Sequence, residues 1–241
     1  MTTTRVGIVG VGYLGSNLAR LCVAAGADVL LANSRGPESL TPIVEELGSR
    51  ASAADITAVG QESDLVVVAI PFGKYASLPP SALSGKVVVD AMNYFASRDG
   101  QMPALDSGET TATALVQSHL SESVVVKAFN NIDFLRLSAL ARPDGHPERT
   151  ALPVAGDTEE GVGTVGAFME KIGFDPEYIG DLSESWRIEP GSPAYVEPYM
   201  SFEGEAENFY ERLIGARPVP VSRSLLRSLL ADAERTNPVQ S

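Results

Sequence analysis

Six residues near the start of the chain, Gly10-Val11-Gly12-Tyr13-Leu14-Gly15, have the spacing G-x-G-x-x-G. They follow a short apolar run, RVGIV, and open a stretch with helical spacing. In that setting the three glycines do different things. Gly10 permits the tight turn, Gly12 the close approach of a pyrophosphate, and Gly15 the contact of helix with strand. A helix beginning there presents unpaired N–H groups and its positive dipole end to phosphate. The chemistry implied is dinucleotide binding. Further along, Asn33-Ser34-Arg35-Gly36 stands at the tip of the second apolar run. An NAD site usually places a carboxylate there for the ribose 2′-hydroxyl. A hydroxyl and a guanidinium suit a 2′-phosphate instead, which arginine can grip with two bonds. Ser34 and Arg35 therefore favour NADP(H); a solvated loop arginine is the competing reading.

Ligands of a parallel sheet bind outside its carboxyl ends, so three more segments face the same crevice: Ile70-Pro71-Phe72, Asp90-Ala91-Met92-Asn93-Tyr94 and Lys127-Ala128-Phe129-Asn130-Asn131. Phe72 either walls a nicotinamide or belongs to the core. Asn93 and Asn130 are the candidate catalytic residues, since an amide can both donate and accept toward a carboxamide or a second ring. The alternative is that they cap loop backbone. Acid–base groups are scarce. Cys22 falls on the apolar face of the first helix, His119 ends a helix, His146 lies in a loop, and Lys171 suits a helix's last turn. Lys127 alone among the lysines sits at a strand end near the crevice. One cysteine and two histidines cannot assemble a His/Cys zinc site, so no metal is expected. Hydride exchange between two redox carriers requires positioning more than proton transfer.

The elements that must hold these residues read as alternating strands and helices, the pattern of a doubly wound parallel sheet. Buried strands are expected at 5–10, 27–33, 64–70, 85–91 and 123–129, with helices over 13–25, 37–47 and 110–120. The pattern continues through a strand at 151–156, a helix capped by Asp157 and ending at Ile172, and a strand at 174–180. Residues 181–200, with Pro190, Pro193 and Pro198, read as irregular chain. An acidic helix at EAENFYERLIG and an amphipathic helix with Leu225, Leu226, Leu229 and Leu230 on one face follow; the last seven residues read as frayed. The expectation is a Rossmann-type NADP-binding domain over 1–180 and a small C-terminal helical extension over 181–241 that supplies acceptor pocket and oligomer contacts.

Composition narrows the partners. The 241 residues carry 18 basic and 31 acidic side chains, a net charge of −13, which argues against nucleic acid or an anionic membrane as a partner. The N-terminus lacks the apolar stretch of a leader, and no segment approaches the ~18 apolar residues of a membrane span. A cytoplasmic protein acting on a small-molecule redox acceptor is expected. A homodimer is expected too, to cover apolar helix faces of the short extension and shield hydride chemistry from water.

VGIVGVGYLGSNLA, NSRGP, VVVAIPF, VVVDAMNY and VVVKAFN, in this order, resemble the NADPH-dependent coenzyme F420 reductase family over roughly residues 5–180. The chain is also similar to the cytoplasmic reductase domain of membrane metalloreductases. The first resemblance implies reversible hydride transfer between NADPH and a deazaflavin, with the two rings face to face. It places Val11, Gly12, Tyr13 and Leu14 around the pyrophosphate, Ser34 and Arg35 on the 2′-phosphate, and Ile70 with Pro71 beside the nicotinamide; Phe72 and Ala128 fall in the same cofactor-binding segments. Asn130 stands where archaeal members have a histidine beside the rings. Glu38 and Ser39 stand where those members carry a basic residue, and 201–241 has no counterpart. Three functions remain open on the residues alone. The first is an NADPH oxidoreductase with coenzyme F420 or a flavin as second carrier. The second, an NADP-dependent small-molecule dehydrogenase or imine reductase, usually needs a long helical domain for which few residues remain. The third is a non-catalytic NADPH-binding regulator.

Overall fold

The computed structural model describes residues 4–235. The chain begins β1 (Arg5–Val9), α1 (Tyr13–Ala24), β2 (Asp28–Ala32), α2 (Thr41–Leu47), β3 (Ala51–Ala53) and α3 (Ile56–Glu62). It continues β4 (Leu65–Val68), α4 (Pro80–Leu83), β5 (Val87–Asp90), α5 (Ala96–Asp99), α6 (Pro103–Asp106), α7 (Ala112–His119), β6 (Val124–Ala128) and α8 (Phe134–Leu140). The remainder is β7 (Ala151–Gly156), α9 (Glu159–Lys171), β8 (Asp175–Gly180), β9 (Met200–Ser201), α10 (Phe209–Gly215), β10 (Arg217–Pro218) and α11 (Arg223–Ala231). Tight 3₁₀ segments cover Pro37–Leu40, Phe72–Ser77, Leu182–Ile188 and Glu197–Tyr199.

Eight strands form one sheet in the order β3-β2-β1-β4-β5-β6-β7-β8. The Val-rich runs are buried on both faces, as a parallel sheet covered by helices requires. Along β4, Val66 and Val68 pack with Leu83 and Val88 on one face, while Leu65 and Val67 pack with Ile8 and Leu18 on the other. Order reverses at β1, which lies between β2 and β4, and this opens a crevice at their carboxyl ends. Every neighbouring pair is parallel except β6 and β7. The expected continuation of the parallel pattern fails there for a local reason. The seven-residue α8 packs on α1 instead of carrying the chain back across the sheet, so β7 starts from the edge where β6 ends.

Several local expectations need correction. The short strand β3, Ala-Ser-Ala, has no β-branched residue to announce it. Thr158, not Asp157, caps α9 through a bond from the Gly161 amide, while Asp157 accepts from the Leu182 amide. Residues 182–188 are a 3₁₀ segment rather than irregular chain. On α11, Leu226 and Leu230 are buried but Leu225 is 45% exposed. The C-terminal part enters the main core: Ile188, Tyr199, Val221 and Leu226 belong to the same buried cluster as Val6 and Ile8. Arg223 and Arg227 tie α11 to Glu177 of β8. The frayed end lies, beyond Arg235, outside the described residues. Among the described residues no helix is long and apolar enough to cross a membrane.

Candidate functional site

The loop between β1 and α1 separates the three glycines by geometry. Gly10 has φ +98°, and a Cβ there would stand 2.4 Å from the Ala69 carbonyl oxygen, so only glycine fits. At Gly15 a Cβ would fall 2.0 Å from the Gly10 oxygen; this is the helix–strand contact. At Gly12, the N-cap of α1, a Cβ would meet nothing within 4 Å. The position is bare on the open side, where the first-turn amides of α1 lack intrahelical partners. That combination fits a bound pyrophosphate. Val11 and Leu14 are partly buried, and Tyr13 is 73% exposed and stacks on Phe134 with centroids 4.7 Å apart.

On one side of this loop lies a cavity of about 440 Å³ at the reversal of strand order. Gly10, Gly12, Asn33, Ser34, Ile70, Pro71 and Lys74 are among its walls. Asn33 builds its rim. Its Oδ1 accepts from the Arg35 amide at 2.9 Å, and its Nδ2 donates to Ser39 Oγ at 2.9 Å. The side chain therefore shapes an Asx turn at the tip of β2. Gly36 continues it at φ +89°. Ser34 lines the cavity, and Arg35 projects exposed from the same turn. Lys74 contributes a cation from the opposite wall, which no motif in the sequence singles out. Phe72 proves to be core: it is 0% exposed and packs against Tyr75 and Tyr94, so it walls no ligand. Ala128 is likewise sealed, so its side chain touches no cofactor.

Across the glycine loop, a second cavity of about 270 Å³ is lined by Tyr13, Asn93, Asn130, Phe134, Tyr195 and Phe209, among others. Here the two asparagines meet. Asn130 Nδ2 donates to Asn93 Oδ1 at 3.0 Å and to the Ile188 carbonyl at 2.7 Å, while Asn93 Nδ2 donates to the Asn130 carbonyl at 2.7 Å. Both Asn130 amide protons are thus committed, and Asn130 is 2% exposed. Asn93 is only half-buried and keeps one N–H to offer. The backbone beside them is strained: Phe129 sits at φ +63° and Val196 at φ +52°, both rare for residues with a bulky Cβ. Val196 centres a γ-turn, with the Glu197 amide reaching the Tyr195 carbonyl at 2.6 Å. A bond from the Val196 amide to the Asn131 carbonyl joins that turn to the end of β6. The turn leaves Tyr195 at the cavity wall.

Beyond Tyr195 and Phe209 a third cavity, about 470 Å³, is lined by Tyr94, Phe95, Leu105, Glu189, Tyr195 and Phe209, among others. Trp186 stands elsewhere, stacked with the Arg187 guanidinium 4.5 Å from its ring centre. Under the strand ends, Lys127 points inward rather than toward ligand. Its Nζ reaches Asp90 Oδ2 at 3.1 Å and the Met92 carbonyl at 2.5 Å, and both side chains are fully buried. Asp90 also accepts from Thr113 Oγ1 at 2.7 Å and the Met92 amide at 2.9 Å. This network holds the turn that carries Asn93. Burial pushes the Cys22 thiol up to about 12, which leaves it no role as a nucleophile. His119 bonds the Leu78 carbonyl and lines none of the three cavities itself.

Residues 5–94 match the model of a family described as NADP oxidoreductase, coenzyme F420-dependent. Over 53 residues the chain is 40% identical to protein YjhV of Escherichia coli K12; the match spans 22% of this chain and 39% of that protein. Among solved structures, the hypothetical protein SMa0349 of Sinorhizobium meliloti superposes with a TM-score of 0.70 at 28% identity, covering 80% of this chain and 93% of that one. A protein described as an F420-dependent NADP-reductase from Arthrobacter sp. FB24 superposes at 0.64 and 21% identity, covering 76% and 87%. A reductive aminase of Aspergillus terreus, solved with NADPH and ethyl levulinate, shares the fold at 0.53 and 19% identity. That match covers 76% of this chain but only 56% of the aminase.

Proposed function

We propose, from the match of residues 5–94 to the coenzyme F420-dependent NADP oxidoreductase model, an NADPH-dependent oxidoreductase that passes hydride between NADP(H) and a deazaflavin, coenzyme F420, or a flavin-like acceptor. The observation that carries this reading is the Gly12 cradle opening onto a cavity walled by Ser34 and Lys74. Gly12 and the first-turn amides of α1 hold the pyrophosphate; Ser34, Arg35 and Lys74 hold the 2′-phosphate end. Ile70 and Pro71 border the path toward the strand ends. Bound NADPH supplies a hydride from its nicotinamide ring. Asn93 offers its free N–H to the rings, and Asn130 acts as a positioning residue by fixing Asn93 and residue 188. Tyr195 and Phe209 exclude water from the side where an acceptor would stack.

The second reading, an NADP-dependent imine reductase or dehydrogenase, draws on the shared fold of the aminase. The shared fold spans 56% of that chain. A homodimer acting on a small redox molecule in the cytoplasm completes the proposal. Pure protein mixed with NADPH and either F420, flavins, ferric salts or a cyclic imine, followed by loss of nicotinamide absorbance, tests it. Oxidation with F420 or flavin supports hydride exchange between carriers. Oxidation with the imine alone selects the second reading, and tight NADPH binding without any turnover selects a regulator.

A further inference from the structure

Glu189 is a carboxylic acid that the proposed hydride transfer leaves unused. It lines the 470 Å³ cavity together with the rings of Tyr94, Phe95 and Phe209 and the ring of Tyr195. Tyr94 keeps its own hydroxyl turned away, on the Gly100 carbonyl and Asp106, so it offers the cavity a ring. Glu189 Oε1 accepts from the Ala112 amide at 3.2 Å. Oε2 has no hydrogen-bond partner among the described residues and is not among the polar atoms sealed without one. Glu189 stands between this aromatic-lined cavity, which shares Tyr195 and Phe209 with the Asn93 cavity, and a small adjoining one.

We propose that this cavity receives the electron acceptor as a planar heteroaromatic molecule, and that Glu189 donates the proton to its ring heteroatom. The inference rests on the NADPH-linked hydride transfer proposed above. The acceptor gains a hydride at carbon, and so two electrons, while NADPH is oxidised to NADP⁺. The Glu189 O–H bond breaks, its proton joins the acceptor heteroatom, and water reprotonates the carboxylate. Four aromatic residues in the wall, Tyr94, Phe95, Tyr195 and Phe209, suit a flat conjugated ligand. An acid of this kind must hold its proton near neutral pH, and its surroundings favour that. Burial pushes the Glu189 carboxyl above the usual carboxylate range, with Asp90 adding to the rise; Lys127, the Ala112 amide and Arg235 oppose it. These groups face it from β5, β6, α7 and the chain after α11; Glu234 and Arg235 also border the small adjoining cavity that Glu189 lines. Tyr195, pushed up to about 12 by burial, stays a phenol throughout the range tested.

Riboflavin serves as the test ligand, its binding read by fluorescence quenching between pH 5 and 9, with NADPH binding measured separately on the same samples. Wild type should bind riboflavin more weakly as pH rises. Glu189→Gln should bind it with a flat profile, and Phe209→Ala should weaken binding at every pH with NADPH affinity unchanged. Riboflavin-dependent NADPH oxidation should fall about a hundredfold in Glu189→Gln, the low end for loss of a general acid. Absence of riboflavin binding, binding without NADPH oxidation, or the same pH profile in wild type and Glu189→Gln overturns the proposal. Failure of NADPH to bind wild type would remove the nucleotide reading itself, whereas NADPH binding without riboflavin binding removes only this inference.

Discussion

At the scale of single residues, the open space at Gly12 makes a sharp prediction. A valine side chain there meets no protein atom within 4 Å of its Cβ, so Gly12→Val should fold with wild-type thermal stability. It should nevertheless lose NADPH binding, because the branched side chain fills the pyrophosphate's place; tight binding by the folded variant would reduce the loop to a structural turn. Cation choice is the second test. Arg35→Ala removes a charge-assisted phosphate contact worth roughly 1.5–3 kcal/mol, so NADPH affinity should drop about tenfold or more with NADH affinity unmoved. Lys74→Ala should act in the same direction, measured by calorimetry with both nucleotides. Equal losses for NADPH and NADH would assign Lys74 to the shared part of the molecule. Glu189 also links to stability. Its folded-state pKa is raised, so its contribution is fully present below the unfolded carboxylate pKa and is lost as pH rises through the folded one. Glu189→Gln should therefore match wild type near pH 4 and melt at a higher temperature than wild type near pH 8. A difference that does not grow with pH would mean the carboxyl is not held protonated.

Elements act through the ends they present. β5 and β6 lie side by side in register, with Asp90 opposite Lys127, and their buried pair locks the turn leading to Asn93. Removing one partner leaves an uncompensated buried charge, which typically costs about 3–5 kcal/mol. Lys127→Met should be destabilised by about that much in urea denaturation, with the double change of Lys127→Met and Asp90→Asn recovering part of it. A neutral Lys127→Met would show that the pair is dispensable to the strand ends. The segment 188–196 is held to the sheet by bonds rather than by a regular element. Asn130 takes the Ile188 carbonyl, and Asn131 takes the Ala194 carbonyl and the Tyr199 hydroxyl. Strain at Val196 persists because these anchors over-determine the chain.

For the whole molecule, α11 decides whether the C-terminal part is an appendage. Leu226 is fully buried in the cluster that contains Val6 and Ile8, so Leu226→Ala should cost about 2–5 kcal/mol. It should lower a single cooperative melting transition; a separate early transition for the C-terminal part would show that it folds on its own. The cavity beside Ser34 and Lys74 takes in Gly10 and Gly12, and the one beside Asn93 takes in Tyr13 and Leu14 of the same glycine motif. The glycine loop thus stands between a cavity that includes Ser34 and Lys74 and one that includes Tyr13, Phe134, Tyr195 and Phe209.

What the sequence determined by itself was the glycine turn and the tip of β2. A strand, a G-x-G-x-x-G turn and a helix are adjacent in the chain, so their chemistry is written in local spacing, as is the Asn33-Ser34-Arg35 tip of β2. Continuous Val runs likewise announce strands buried on both faces, because a half-wet strand would alternate. Only the tertiary structure brought together the residues around Asn93 and Glu189. Asn93 and Asn130 are 37 residues apart and bond each other; Glu189 reaches the start of α7 across 77 residues. Lys74 faces Ser34 across a cavity only once β1, β2 and β4 are side by side. Phe72 looked equally suited to ligand or core until the packing of Tyr75 and Tyr94 enclosed it. The antiparallel β7 was hidden for a related reason: strand direction depends on where α8 packs, not on the residues of β7 itself. Local spacing records bonds between neighbours in the chain, whereas burial, charge pairing and the walls of a cavity come from segments that meet only when the sheet closes.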